Sequence, residues 1–579
     1  MERDFAPEQP PVTNYVEPPP RLWHNNKILK KIPELTNDPV INLINQGIGF
    51  ATAYISQNDI YMIWVIVLLI AYENVANISS SSLLEEASTR SSREYVFLYN
   101  CGLAGYLIIK YKGSGEFYRA LLVLWSLVIA KFLIRIVNYM LAQRAYGLEN
   151  ANLVSDYMKS EHKLTNSSDA IDPISMKGYK YLVMGEEKVD AKAEAPDYTA
   201  EVELKPHVVT VEKVWDCKER LLHPSVDKNG SLKDVCLSFA LFKLLRRRYF
   251  GYPAAEAQGD QKLKTRRFLL EGLLCAKATG VDTEEVDKER VIATFCYPRF
   301  SISVNNTLGQ YSLVTNCNKN SLKRSQGIWL FISTCGVQKS RSRPPGLKGS
   351  KAVELSKHVK NAIFDTLLRS RGELTNGKAT LQRYGQSLYH DLQSTLNPAT
   401  PIHTIMMWHI ATSFCAIHPV KEGGNKMSIK PDLTVATHLS NYCAYLVAFH
   451  PDLLPLTTTY SVKHMLWKVF EETCEFFGRE RKLEAKYERM MSCRDDDGKI
   501  IHRGAALGRY LHENIKDDTQ RWKMLADFWS EYILFIAPSG STRAHIQELG
   551  NGSEYITHLW ALLYHGGIID TSSAEYHPL

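Results

Sequence analysis

No CxxC pair occurs anywhere in this chain, although eleven cysteines are scattered from Cys101 to Cys493. Zinc sites and thioredoxin-type redox sites announce themselves by short Cys or His spacings, and their absence argues against both. An odd, dispersed set reads instead as reduced thiols, several of them buried as small apolar residues. That favours a cytosolic face for most of the mass. Also lacking are a G-x-S-x-G elbow, an H-E-x-x-H pair and a G-x-x-x-x-G-K-[ST] loop. The stretch Gly346-Leu347-Lys348-Gly349-Ser350-Lys351 has the wrong spacing for a phosphate loop, and no apolar strand runs into it. Residues 1–20 are acidic and proline-rich without an apolar core, so no secretory signal is read there. The net charge of +7 over 579 residues is too diffuse for a dedicated nucleic-acid binder, and no nucleic-acid partner is expected. His409, Cys415 and His418 are the nearest approach to a ligand set, but a fourth ligand is not evident and buried or capping roles explain them better. His438 with Tyr442, and Tyr564 with His565, read as hydrogen-bonded partners in a core. The sequence therefore yields no catalytic, cofactor-binding or metal-binding residue, no cofactor, and more reason to doubt an enzyme than to expect one.

What the chain does hold is apolar residues concentrated near one end. Three runs stand out: Ile60–Tyr72, Tyr95–Ile109 and Ala120–Ile134. A helix crossing the hydrocarbon layer needs roughly twenty mostly apolar residues, so each run is a little short. Helices of a soluble core are the competing reading. Three runs close together, with Arg119, Lys131 and Arg135 placed to snorkel, favour insertion in a lipid bilayer. Basic residues after the third run, with the dispersed cysteines, place the following mass in the cytosol. Sequons at Asn229 and Asn551 pull weakly the other way.

The chain divides as follows: 1–38 a disordered segment, 39–149 a transmembrane helical region, 150–205 a polar linker too polar to bury a core. Residues 206–335 carry an amphipathic helix on which Leu237, Leu241, Leu244 and Leu245 share a face and Arg246–Arg248 follow. That helix suits either an anionic leaflet or a core with solvated arginines at its end. Residues 336–380 are a basic linker and connecting helix, 381–569 a C-terminal helical domain, 570–579 a tail. Four apolar stripes at helical spacing mark the C-terminal domain: Val435, Leu439, Tyr442, Cys443 and Leu446; Val462, Leu466, Val469 and Phe470; Trp522, Leu525, Trp529, Tyr532 and Ile536; Ile556, Leu559, Trp560 and Leu563. Lys430-Pro431-Asp432 reads as a helix start, and His450-Pro451, Pro538-Ser539-Gly540 and Gly566-Gly567 as stops. Helices in series without strand-like alternation mean an all-α fold packed helix on helix, and residues from about Ile402 to Ile569 are expected to fold autonomously.

Several strings share a kind and order with a known family. They are Trp408–Cys415, Thr437–Tyr442, Phe449–Pro455 and Trp560–Gly567, preceded by Asp234–Tyr252, Thr265–Phe268, Gly272–Leu274, Leu308–Val314, Gly327–Phe331 and Leu381–Gly385. In these the chain resembles a plant family, expanded in grasses, in which a membrane-embedded "domain of unknown function 4220" precedes a C-terminal "domain of unknown function 594". The resemblance implies an integral membrane protein and names no chemistry. It also marks a departure: relatives carry further apolar segments before Leu308, where this chain has the charged stretch Asp282–Arg290. The expected function is a non-enzymatic membrane protein with a cytosolic, partner-binding helical domain, Trp522 or Trp560 contributing to an exposed interaction surface. The alternative is a membrane-bound enzyme or transporter whose site the sequence does not show.

Overall fold

The computed structural model describes residues 44–48, 51, 60–79, 87–110, 115–146, 148–161, 171–185, 190–194, 199–203, 207–218, 222–223, 231–259, 261–274, 307–317, 350–396, 401–417, 426–455, 459–494, 498–538, 541–550 and 554–569. The 1–38 segment, the 336–349 part of the basic linker, the Asp282–Arg290 stretch, the sequons at Asn229 and Asn551 and the 570–579 tail lie outside them. The fold is all-α, with three short two-stranded antiparallel ribbons among the described residues. It divides into two units, residues 1–147 and 148–579.

The first unit comprises α1 (Ile60–Ser79), α2 (Ala87–Lys110) and α3 (Gly115–Tyr146), with a helical turn at 44–48. One side of each helix meets the others around Leu69, Tyr72, Phe97, Cys101, Val128 and Phe132. Phe97 lies 5.4 Å from Tyr72 and 4.7 Å from Phe132, ring centre to ring centre. Two hydrogen bonds lie inside: Asn100 Nδ2 donates to Asn45 Oδ1 at 3.0 Å, and Trp125 Nε1 to the Cys101 carbonyl at 2.9 Å.

The second unit begins with α4 (Leu148–Ser160), inside the stretch read from sequence as a polar linker. Its Val154, Tyr157 and Met158 are buried, so those residues do build a core. Then come β1 (Leu182–Met184) paired with β4 (Val209–Thr210), β2 (Asp190–Glu194) paired with β3 (Thr199–Glu203), α5 (Val211–Asp216), α6 (Ser231–Tyr249) and α7 (Gln261–Arg267). The helix continues past Arg267 as a π-helical turn over Phe268–Leu273. A second block follows: β5 (Thr307–Gln310) paired with β6 (Ser350–Glu354), α8 (Leu313–Asn316), α9 (Lys357–Ser370), α10 (Lys378–Tyr384) and α11 (Gln386–Leu392). The last block holds α12 (Pro401–Ile417), α13 (Lys426–Phe449), α14 (Thr459–Phe477), α15 (Leu483–Ser492), α16 (Ile500–Asn514), α17 (Asp518–Ile536), α18 (Thr542–Gly550) and α19 (Tyr555–His565).

Every residue of the four stripes is buried, which is why these segments are helical and amphipathic at once. α12 has no polar face because it runs through the centre, between α13 and α16. Gly504 and Gly508 on α16 allow that approach: a Cβ at either would lie 2.7 Å from Ile410 Cβ or 2.8 Å from Phe414 Cγ. Trp408 stacks on Phe528 at 3.7 Å, and Trp529 Nε1 donates to Thr412 Oγ1 at 2.9 Å. α13 starts a turn earlier than Pro431 suggests, at Lys426. A proline early in a helix removes few ladder bonds, so it does not have to mark the first turn.

The two units divide between Gly147 and Leu148, two residues from the 149/150 boundary read from the sequence. Segments well before Ile402 complete the C-terminal core, which leaves a 402–569 fragment with open apolar surface. The recognisable block Leu308–Val314 is one of them: Leu308, Tyr311, Leu313 and Val314 are fully buried. Tyr311 N donates to the Asn441 carbonyl at 3.2 Å, and Lys486 Nζ reaches the Cys317 carbonyl at 2.8 Å. Another is α10, whose N-cap Gly377 has no side chain to offer. Glu531, buried on α17, substitutes for it: the Thr380 amide donates to Glu531 Oε2 at 2.8 Å, and the Thr375 and Thr380 hydroxyls donate to the same carboxylate. Glu531→Ala is expected to cost about 2–3 kcal/mol, since three donors lose a charged acceptor away from water. Denaturant unfolding checks this, and a cost below about 1 kcal/mol would refute the capping role.

Candidate functional site

Two surfaces of the molecule invite a function, one in each unit. The first is the exterior of α1–α3. Fourteen of the twenty exposed large hydrophobic residues among the described ones lie between Ile63 and Val137. They include Trp64, Val67, Leu98, Tyr106, Ile109, Val123, Leu127 and Ile134, while Tyr72, Phe97 and Phe132 fill the inside. Apolar side chains thus cover both the interior and the exterior of this bundle. An aqueous monomer rarely exposes contiguous apolar area on this scale. One helix among the described residues, Gly115–Val137, is long and apolar enough to cross a membrane, and 17% of its apolar window is buried within the protein. The other two runs form shorter apolar helical stretches, Ile63–Tyr72 and Tyr95–Ile109. Arg135 sits near the end of the long one, its guanidinium 5.1 Å from the Phe132 ring centre.

The second surface is a cleft of about 580 Å³ where α12, α14 and the start of α16 meet. His403 comes from α12, His464, Lys468 and Glu472 from α14, and Lys499 and Arg503 from the first turn of α16 and the residue before it. Five of these six side chains are cations or potential cations. Burial, and then the neighbouring Arg503, hold the His403 imidazole below its ordinary pKa. Among the described residues no ion pair engages Lys468 or Arg503. Sequence reasoning missed this cleft because its cations come from three helices and show no local spacing.

The residues that the sequence did single out have structural places. The Leu313 amide donates to His409 Nε2 at 3.1 Å, so the ring proton sits on Nδ1, 3.0 Å from Ser440 Oγ. Burial pushes the His409 imidazole down to about 4, which keeps it neutral and fits the capping role. Cys415 is buried, and its thiol is pushed up to about 12 by burial. His418 lies outside the described residues. Among the described residues no three His, Cys, Asp or Glu side chains converge as metal ligands. Tyr442 hydrogen-bonds to Glu554 Oε2 at 3.3 Å and accepts from the Ile556 amide at 3.0 Å, so its polar partners lie on α19 and its approach and not at His438. Tyr564 and His565 meet edge to face at 5.8 Å, and the Tyr564 hydroxyl donates to the Leu244 carbonyl at 3.4 Å. Trp522 and Trp560 are 1% and 5% exposed and form no interaction surface. Each lies on the stripe its helix turns inward, and Trp560 is covered by His545, stacked 4.8 Å away.

The arginine block is also reassigned. α6 neither lies on open leaflet nor ends in three solvated arginines: Arg247 is fully buried and forms an ion pair with Glu256. Lys243, also buried, donates to the Val183 carbonyl at 2.8 Å. Nearby, Lys264 Nζ donates to both oxygens of Glu161 at 2.7 Å, tying α7 to the end of α4. The α19 terminus docks beside Arg247, where a Cβ at Gly566 would lie 2.3 Å from Leu269 Cδ2. Tyr564-His565-Gly566-Gly567 is therefore a docking element between the C-terminal helix and the α6–α7 block.

These features define an all-α protein with an apolar-clad helical unit followed by a larger helical one. The model of the "Domain of unknown function (DUF4220)" matches residues 43–295, and that of the "Protein of unknown function, DUF594" matches residues 514–568. The chain thus carries matches to these two domains in this order. The first match runs through both structural units, so α6 and α7 belong to one domain by sequence and pack with the other in space. No curated protein and no solved structure matches the chain.

Proposed function

We propose that this is a non-enzymatic membrane-anchored protein, held in a lipid bilayer by α1–α3 and presenting residues 148–579 to cytosolic partners. The observation that carries the anchor is the apolar exterior of Ile63–Val137 around an already complete interior. A bilayer gives those side chains the environment that water does not. The cytosolic side is supported by the cysteines: all eight described ones are free thiols, including the neighbours Cys317 and Cys474. An oxidising compartment would favour joining such neighbours.

Carbonate washing of membranes should leave the full-length chain in the pellet. Release into the supernatant would overturn the anchor. A charge scan separates the anchor from a water-facing bundle more sharply. Leu127 is 60% exposed, so Leu127→Lys should be harmless in water. Within a bilayer it should cost about 2.5–3.5 kcal/mol of insertion and lower the membrane-retained fraction. Orientation is read with microsomes and a glycosidase, where no mobility shift is expected. A shift abolished by Asn551→Gln would put the larger unit in the lumen.

A further inference from the structure

We infer that the cleft between α12, α14 and α16 binds a small phosphate-bearing anion. Three elements bring His403, His464, Lys468, Lys499 and Arg503 to one opening, with Glu472 as the single carboxylate among the described lining residues. Like charges gathered this way raise the local concentration of anions, and low-dielectric walls focus the field. Lys468 and Arg503 have no ion-pair partner among the described residues, so this field is not cancelled by a bound carboxylate there. The guanidinium of Arg503 offers forked donors suited to two phosphate oxygens, and the ammonium of Lys468 a mobile point charge.

The backbone adds to the side chains. α16 runs fifteen residues from Ile500, and its N-cap Lys499 makes no side-chain capping bond. The cleft therefore sets cationic side chains beside the N-terminal end of α16, whose dipole also favours an anion. At about 580 Å³ it holds more than inorganic phosphate, and Glu472 can accept a hydrogen bond from a ligand hydroxyl. A phosphorylated polyol fits this chemistry, whether free in solution or as the headgroup of a lipid.

Calorimetry of the full chain in neutral detergent tests the site, with inorganic pyrophosphate as the first probe. Saturable binding is expected at low salt, weakening as salt rises. The paired substitution Lys468→Met and Arg503→Met should weaken it on the order of tenfold or more. Lys516→Met, at the far end of α16, should leave it unchanged. All three positions are exposed, so the variants should keep the parent melting temperature, which confirms that they fold. Two further arms separate the sources: inositol phosphates in solution, and phosphatidylinositol phosphate in mixed micelles. Preference for the former assigns a soluble ligand, preference for the latter a headgroup, and either sustains the cleft. No saturable binding of any probe, or equal binding by the paired variant, would overturn it. The anchor reading is independent, since binding is measured without a bilayer.

Discussion

Acidification is expected to unfold the larger unit over the window between the ordinary histidine pKa of 6.5 and about 3. Four histidines set it. His409 and His558 are pushed down to about 4, and His545 and His565 to about 3, in every case chiefly by burial. Arg247 adds to the effect at His565. Each of these imidazoles is neutral in the folded state and protonates near 6.5 once unfolded. Their contribution to stability is therefore fully present above 6.5 and is lost as pH falls toward the folded values. At about pH 5 each favours the unfolded chain by roughly 2 kcal/mol, and four together by roughly 8 kcal/mol. That is comparable with the whole stability of a domain, about 5–15 kcal/mol. Two carboxyls oppose the trend. Burial raises Glu554, and burial with Asp527 raises Asp432, so both take protons more readily when folded and resist acid. Two groups against four do not reverse the sign. Denaturant midpoints measured from neutral pH downward should fall steadily across the window. A flat profile to about pH 5 would show that these rings are solvated.

Arg247→Met should destabilise the same unit by about 3–5 kcal/mol, the largest expected effect of a single substitution. The cost comes from Glu256, 3% exposed, which loses the partner that offsets its removal from water. Arg247→Lys should recover little, because an ammonium does not reproduce the planar fork that also donates from Nε to the Leu244 carbonyl. Adding Glu256→Gln to Arg247→Met should restore most of the loss, since a neutral pair leaves no orphaned charge. The Tyr564 hydroxyl bonds to the same turn of α6, so loosening there should reach α19 and raise the solvent exposure of Trp560. Tryptophan fluorescence and denaturant midpoints check both parts. A cost for Arg247→Met within about 1 kcal/mol of zero, or no rescue by the second change, would refute the pair's role.

The helices were legible in the sequence because an apolar stripe is a local property, repeated every three or four residues. Val435–Leu446, Val462–Phe470, Trp522–Ile536 and Ile556–Leu563 form helices and bury those stripes. The apolar runs from Ile60 to Ile134 were equally plain, since composition alone reveals them. What periodicity carries is which face turns away from water, not what covers it. Hence Trp522 and Trp560, proposed as exposed from sequence, are interior. Hence also the arginine block, read as a leaflet contact or a solvated end, holds a buried pair whose carboxylate lies nine residues further on.

The Leu308–Val314 block was recognisable as a string, yet its role depended on His409, Asn441 and Lys486, which lie far along the chain. The cleft was invisible for the same reason, its charges being distributed over three helices. By itself the sequence determined the all-α class, the positions of the stripes and the apolar character of the first unit, all of which rest on neighbours within a turn. The tertiary structure decided what covers each stripe, the neutral state of the buried histidines and the gathering of cations at α16. Each of those is a sum of contacts between residues that only folding brings together.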